Sequence, residues 1–184
     1  MARNRWRTPI TIKRSMAPVG SQDACLLILG SLPGEVSLAE QRYYAHPTNQ
    51  FWKLLGHAIG EDLALLEYED RVRRLAERDI ALWDVVAEAQ RRGSLDGAIR
   101  AAMANALADF AATHPRLEAV AFNGKTAAKI GRPVLAANGR LTLIELPSSS
   151  AALTRPFGAK AEEWAVLGRY AGVARRTKSS KLPE

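Results

Sequence analysis

The chain divides into short unbroken apolar runs and longer stretches with helical spacing. Four apolar runs have strand length: Ala24–Leu29, Ile80–Val86, Leu117–Phe122 and Leu141–Leu146. They are rich in Leu, Ile and Val and do not alternate with polar residues. That is the pattern of strands buried on both faces of a parallel sheet. Between them, Phe51–Ile59 carries Phe51, Leu54, Leu55 and Ala58 on one helical face. Asp96 is placed to cap an alanine-rich helix from Gly97 to Ala112, with Ile99, Met103, Leu107 and Phe110 spaced for one face. Lys125–Ile130 predicts a short helix after a glycine, and Ala159–Tyr170 a last amphipathic one. The alternation predicts an α/β fold, a three-layer sandwich whose central, mainly parallel four-stranded sheet is flanked by helices.

Open parallel sheets bind ligands outside the carboxyl ends of their strands. The loops there read Gly30-Ser31-Leu32-Pro33-Gly34, Ala87-Glu88-Ala89, Asn123-Gly124-Lys125 and Pro147-Ser148-Ser149-Ser150. All but the second are small, polar or glycine-rich and predict a shallow pocket lined by backbone amides. After the first comes Tyr43-Tyr44-Ala45-His46-Pro47-Thr48-Asn49-Gln50-Phe51-Trp52. Aromatic side chains are costly to expose in a loop, and here they suit a stacking surface for a planar base.

Charge sharpens this picture. The 184 residues carry a formal net charge of +7, which favours a polyanionic partner such as nucleic acid. The excess gathers at the ends, in Arg3, Arg5, Arg7, Lys13 and Arg14, and in Arg175, Arg176, Lys178 and Lys181. The expected organisation is a flexible basic N-terminal arm over 1–22, a catalytic domain over 23–172 and a basic C-terminal tail over 173–184. Cys25 is the single cysteine, so neither an internal disulfide nor a cysteine zinc site is expected. His46, His57 and His114 are scattered, and no metal or other cofactor is expected. No apolar run reaches the roughly 18–20 residues that span a bilayer. The expected protein is a cytoplasmic monomer without a membrane partner.

Gly30–Gly34 followed by Tyr44-Ala45-His46-Pro47-Thr48-Asn49-Gln50-Phe51-Trp52-Lys53 resembles the first motif region of the uracil-DNA glycosylase superfamily, in its mismatch-specific and hypoxanthine-type branches. Ala121-Phe122-Asn123-Gly124-Lys125 resembles its strand-Gly-Lys segment, and Leu146-Pro147-Ser148-Ser149-Ser150 its second motif. The matches come in the family's order and span residues 24 to 155. The hypoxanthine-type branch is most similar, since it too has an apolar residue within the first motif and Leu-Pro-Ser in the second. The resemblance implies a monofunctional DNA glycosylase. Such an enzyme flips a deaminated base, uracil first and hypoxanthine next, out of single- or double-stranded DNA. It then hydrolyses the N-glycosidic bond and leaves an abasic site. Leu32 and Leu146 depart from the family's commonest catalytic pair, which keeps open a lesion-recognising DNA-binding module without efficient excision. A nucleoside hydrolase would need an acidic cluster or a metal, and the four loops show no clustered carboxylates.

The resemblance assigns function to Asn49, whose amide can orient a water; the competing role is capping the helix that starts at Phe51. His46 is a second catalytic candidate, for charge stabilisation or for holding the loop. Tyr44 falls where the family stacks an aromatic on the flipped base, while Tyr43 reads as core or rim. Gly30, Ser31, Leu32, Pro33, Gly34, Phe51 and Asn123 complete the expected substrate contacts. Asp84 lies where many members place a base-reading Asn, and there it would accept an N–H of the base; alternatively it pairs with an arginine at a strand end. Ser148, Ser149, Ser150 and Arg155 are expected at phosphates, with Leu153 as the wedge entering the duplex. The bland alternative for that loop is a surface connector.

Overall fold

The computed structural model describes residues 11–91 and 93–172. Its strands are β1 (Thr11–Arg14), β2 (Val19–Gly20), β3 (Leu26–Gly30), β4 (Ile80–Asp84), β5 (Val86–Arg91), β6 (Arg100–Ala104), β7 (Ala119–Asn123) and β8 (Thr142–Leu146). Its α-helices are α1 (Glu35–Glu40), α2 (Phe51–Ile59), α3 (Tyr68–Glu77), α4 (Leu107–Thr113), α5 (Lys125–Leu135) and α6 (Phe157–Trp164). The central sheet has the order β2-β4-β3-β7-β8. Its β4, β3, β7 and β8 are parallel, as expected, and the two-residue β2 adds an antiparallel edge, so the sheet is mixed.

Burial explains why this sheet was legible. Every residue of β3 and β7 is buried. One face, with Leu26, Ile28, Leu82 and Ala121, packs against α2, α3 and α6. The other, with Leu27, Leu29, Val120 and Phe122, packs against α4 and α5. Strands covered on both sides have no reason to alternate with polar residues. Helix α5 continues past the expected end at Ile130 to Leu135. A Cβ at Gly131 would stand 2.6 Å from Phe122 Cε1, so the glycine allows the helix to lie close on the sheet. The last helical stretch starts at Phe157 and tightens to a 3-10 helix over Ala165–Arg169.

The region after Asp84 corrects the sequence expectation. The apolar run does not end in a loop at Ala87–Ala89. At Val85 the chain leaves the central sheet and continues as β5 in a second, antiparallel sheet of order β1-β5-β6. The amides of Val85 and Val86 donate to the carbonyls of Gly30 and Ser31, fastening this exit to the end of β3. The alanine-rich helix from Gly97 to Ala112 is also corrected. Asp96–Ala98 is one 3-10 turn, Arg100–Ala104 is β6, and only Leu107–Thr113 is α-helical. Pairing with β5 satisfies backbone groups of both strands, which overrides the modest helical preference of alanine.

Residues 11–20 are not a free arm. Thr11–Arg14 pairs with β5, and Val19–Gly20 pairs with β4. Residues 1–10 and the tail over 173–184 lie outside the described residues. No described helix is long and apolar enough to cross a membrane.

Candidate active site

The carboxyl ends of β3, β4 and β7 and the segment after β8 converge on a cavity of about 520 Å³. It gathers the whole Gly30–Gly34 turn, with Tyr44, His46 and Asn49 from the stretch before α2. Asp84, Asn123, Ser148, Ser149, Ser150 and Leu153 line it from the other strand ends. Gly30 is in register with Asp84, and a Cβ there would lie 2.6 Å from Asp84 Oδ1 and 3.0 Å from Tyr44 Oη. Glycine alone lets the carboxylate and the phenol approach the strand this closely. Leu32, also a cavity residue, is 5% exposed and belongs to the core facing α4 and α5.

Tyr44 is stacked on Phe51, with ring centroids 3.7 Å apart and planes at 6°. Phe51 is fully buried and does not line the cavity, which corrects the expected substrate contact there; it packs behind Tyr44, which does line the cavity. Tyr44 holds a positive φ of 55°, a strained conformation for an aromatic residue. Its Oη is buried and takes no well-formed hydrogen bond among the described residues. The Asn123 amide lies beside it, but both ends of that amide are committed to Ser149. Nδ2 donates to Ser149 Oγ at 2.9 Å and Oδ1 accepts the Ser149 amide at 2.8 Å. Asn123 thus ties β7 to the serine loop. Burial pushes the Tyr44 hydroxyl well above the usual tyrosine range, as it does for Tyr43. Tyr43 is core, 2% exposed, with its hydroxyl donating to the carbonyls of Met16 and Ala17.

Asn49 stands one residue before Gln50, the N-cap of α2. Its Oδ1 accepts the Phe51 amide at 3.0 Å, tying off the start of α2. Asn49 lines the cavity, and no hydrogen bond of its Nδ2 is formed among the described residues. His46 is exposed, and its Nδ1 accepts the Thr48 amide at 3.3 Å, which closes the turn.

Three acidic residues line the cavity, the exposed Glu35 and the more buried Asp84 and Asp96. Asp84, 3% exposed, is pushed up to about 7 by burial, with the Ser15 hydroxyl bond at 3.1 Å opposing. No ion pair reaches it among the described residues, which leaves the arginine-paired alternative without support. Asp96 comes from the β5–β6 connection and accepts Ser31 Oγ at 2.5 Å. Burial raises its carboxyl as well, and Ser31 and the charge of Arg91 oppose. Arg91 is fully buried; its guanidinium donates to the Leu32 carbonyl at 3.0 Å and to the Pro33 carbonyl. Burial lowers its affinity for the proton, and the charges of Asp96, Glu35 and Asp84 partly oppose that.

The serine loop is folded on itself. Ser148 Oγ accepts the Ser150 amide and Ser150 Oγ accepts the Ala152 amide, each at 3.2 Å. Each hydroxyl proton is left to donate outward. Buried Lys160 bridges Gln50 Oε1 at 3.0 Å and the Ser150 carbonyl at 3.3 Å. Leu153 reaches the cavity wall. Arg155 lies outside it and pairs with Glu163 at 2.5 Å.

Asp96, Arg91 and Lys160 escaped the sequence reading. Asp96 fitted a helix cap and Arg91 a polar end beyond a loop, and no local signal marks either. Lys160 sits among otherwise core positions of α6, the one sign available.

Residues 17–168 match the model of the uracil DNA glycosylase superfamily. A protein named hypoxanthine DNA glycosylase from Methanosarcina barkeri is 40% identical over 153 residues, covering 83% of this chain and 96% of its own. Its namesake in Methanosarcina acetivorans is 38% identical, covering 86% and 99%. The solution NMR structure of a candidate uracil DNA glycosylase from Methanosarcina acetivorans superimposes with a TM-score of 0.78 at 38% identity, over 86% of this chain and 98% of that one.

Proposed function

This chain belongs to the uracil DNA glycosylase superfamily, and from that premise we propose that it excises hypoxanthine from DNA by hydrolysing the bond between base and deoxyribose. The observation that carries the reading is Asp84, a buried carboxyl at the end of β4 on the cavity wall. As a carboxylate it accepts the N1–H of hypoxanthine. Adenine presents an acceptor at that position and is repelled. The group titrates at about 7, so an N–H donor in the pocket draws it into the charged form. Tyr44, backed by Phe51, provides the stacking face. Asn49 Nδ2 donates to the oxygen of the attacking water. Ser148 and Ser150 donate their hydroxyl protons to the phosphates beside the flipped nucleotide, and Leu153 fills the space it leaves.

Uracil carries the same carbonyl and N–H edge, so Asp84 by itself does not separate the two bases. The names of the two relatives favour the purine. The test is base release from duplexes and single strands, each with one hypoxanthine, uracil, xanthine or thymine. Hypoxanthine is expected to leave fastest. Faster release of uracil overturns the base assignment. A shifted band with no free base from any substrate supports the lesion-binding alternative.

A further inference from the structure

Glycosidic hydrolysis needs an acceptor for the proton of the attacking water, and the cavity narrows the choice. Asn49 Oδ1 is occupied by the Phe51 amide, and an amide is not a base at neutral pH. His46 is exposed and uses Nδ1 in its own turn. Of the acidic residues lining the cavity, Glu35 pairs with Lys13 at 3.4 Å and is largely solvated. Asp84 is the most deeply buried and is taken up by the base edge in the reading above. Asp96 remains. It is only partly buried, which suits a position nearer the sugar than the floor. Ser31 orients it through one oxygen.

Resting on the glycosylase reading, we propose that Asp96, carried into the cavity by the β5–β6 connection and held by Ser31, takes the proton of the attacking water and faces the developing positive charge at C1′. The water oxygen bonds to C1′ while the bond from C1′ to the base nitrogen breaks, its electron pair leaving with the base. The water proton passes to the Asp96 carboxylate. It returns through solvent to the departing base, so the sum is hydrolysis to free base and an abasic sugar. The groups facing Asp96 are Ser31 from the turn after β3, Arg91 from β5, Asp84 from β4 and Tyr44 from the stretch before α2. Burial raises the Asp96 carboxyl, and the Ser31 hydrogen bond and the positive charge of Arg91 oppose that rise.

Asp96→Asn preserves the Ser31 bond and removes the base. Single-turnover release of hypoxanthine is expected to fall on the order of 10²–10⁴-fold, with the protein folded and duplex affinity unchanged. A second measurement does not need excision. Duplexes carry either a cationic pyrrolidine or a neutral tetrahydrofuran in place of the target nucleotide. The unsubstituted protein is expected to prefer the cation by about tenfold, the equivalent of one opposite-charge contact of roughly 1.4 kcal/mol, and Asp96→Asn to show no preference. An Asp96→Asn protein that releases base at the normal rate overturns the assignment and leaves the glycosylase reading standing. So does the absence of any cation preference in the unsubstituted protein. Cation preference lost on Asp96→Asn, in a protein that releases no base, overturns the glycosylase reading and keeps Asp96 at the sugar.

Discussion

The two sheets of this protein meet at one cavity and differ in nearly everything else. In the central sheet β3 and β7 are buried along their whole length, while in the outer sheet every residue of β6 is exposed. The central sheet brings the motif residues that the sequence advertises. The outer sheet brings Arg91 and its connection brings Asp96, which no local pattern marks. A site can therefore be assembled half from a core that any member of such a fold must have, and half from an appendage whose placement depends on hydrogen bonds to that core.

The largest expected effect tests whether the appendage belongs to the site. Arg91→Met removes the donors to the Leu32 and Pro33 carbonyls and a positive charge that acts on Asp96. Each hydrogen bond from a charged donor contributes about 1.5–3 kcal/mol, and both are lost. Denaturant unfolding is expected to show that loss, and the fraction still folded to excise more slowly. Normal excision by the folded fraction would make the outer sheet a scaffold only.

Next is Asn49, on the motif side. Asn49→Ala is expected to slow single-turnover excision on the order of 10²–10³-fold and to lose about 0.5–2 kcal/mol of stability with the cap. Asn49→Asp separates the two roles, because it keeps the oxygen that accepts the Phe51 amide and lacks the Nδ2 donor. Its melting temperature is expected to recover while its rate stays low. Recovery of both would assign Asn49 to the cap alone.

Asp84 predicts a pH dependence. Its folded value of about 7 stands above the unfolded aspartate value of about 3.9. The folded state holds this proton through a range in which the unfolded chain has released it. The contribution to stability is thus complete below pH ~4 and is lost as the pH rises to ~7. Asp84→Asn is expected to flatten stability across that window and to raise the melting temperature at pH 8 relative to the unsubstituted protein. An unchanged pH slope would mean that Asp84 is ionised in the folded state throughout.

The smallest effect is the sharpest check on the corrected element. Met103 is 64% exposed on β6. Met103→Ser is expected to change stability by no more than about 0.5 kcal/mol. In the helix expected from Gly97 to Ala112 it would have been a core residue, and truncating it would cost roughly 2–5 kcal/mol.

The sequence by itself determined the four parallel strands, α2, the strand-end location of the cavity and most of its lining. These follow from local features: unbroken apolar runs, glycines at strand ends, and adjacent tyrosines before a helix. Tertiary structure decided the rest. The path of residues 86–104 is set by pairing between strands, and Ile99, Met103, Leu107 and Phe110 carry a helical spacing that the backbone does not follow. The roles inside the cavity were also decided there. Asn123 is spent on Ser149, Phe51 lies behind Tyr44, and Asp96 reaches Ser31 across 65 residues of sequence. Periodicity reports which face of an element is buried. It does not report which distant backbone an element pairs with, or which polar side chain is left unpaired once it has done so.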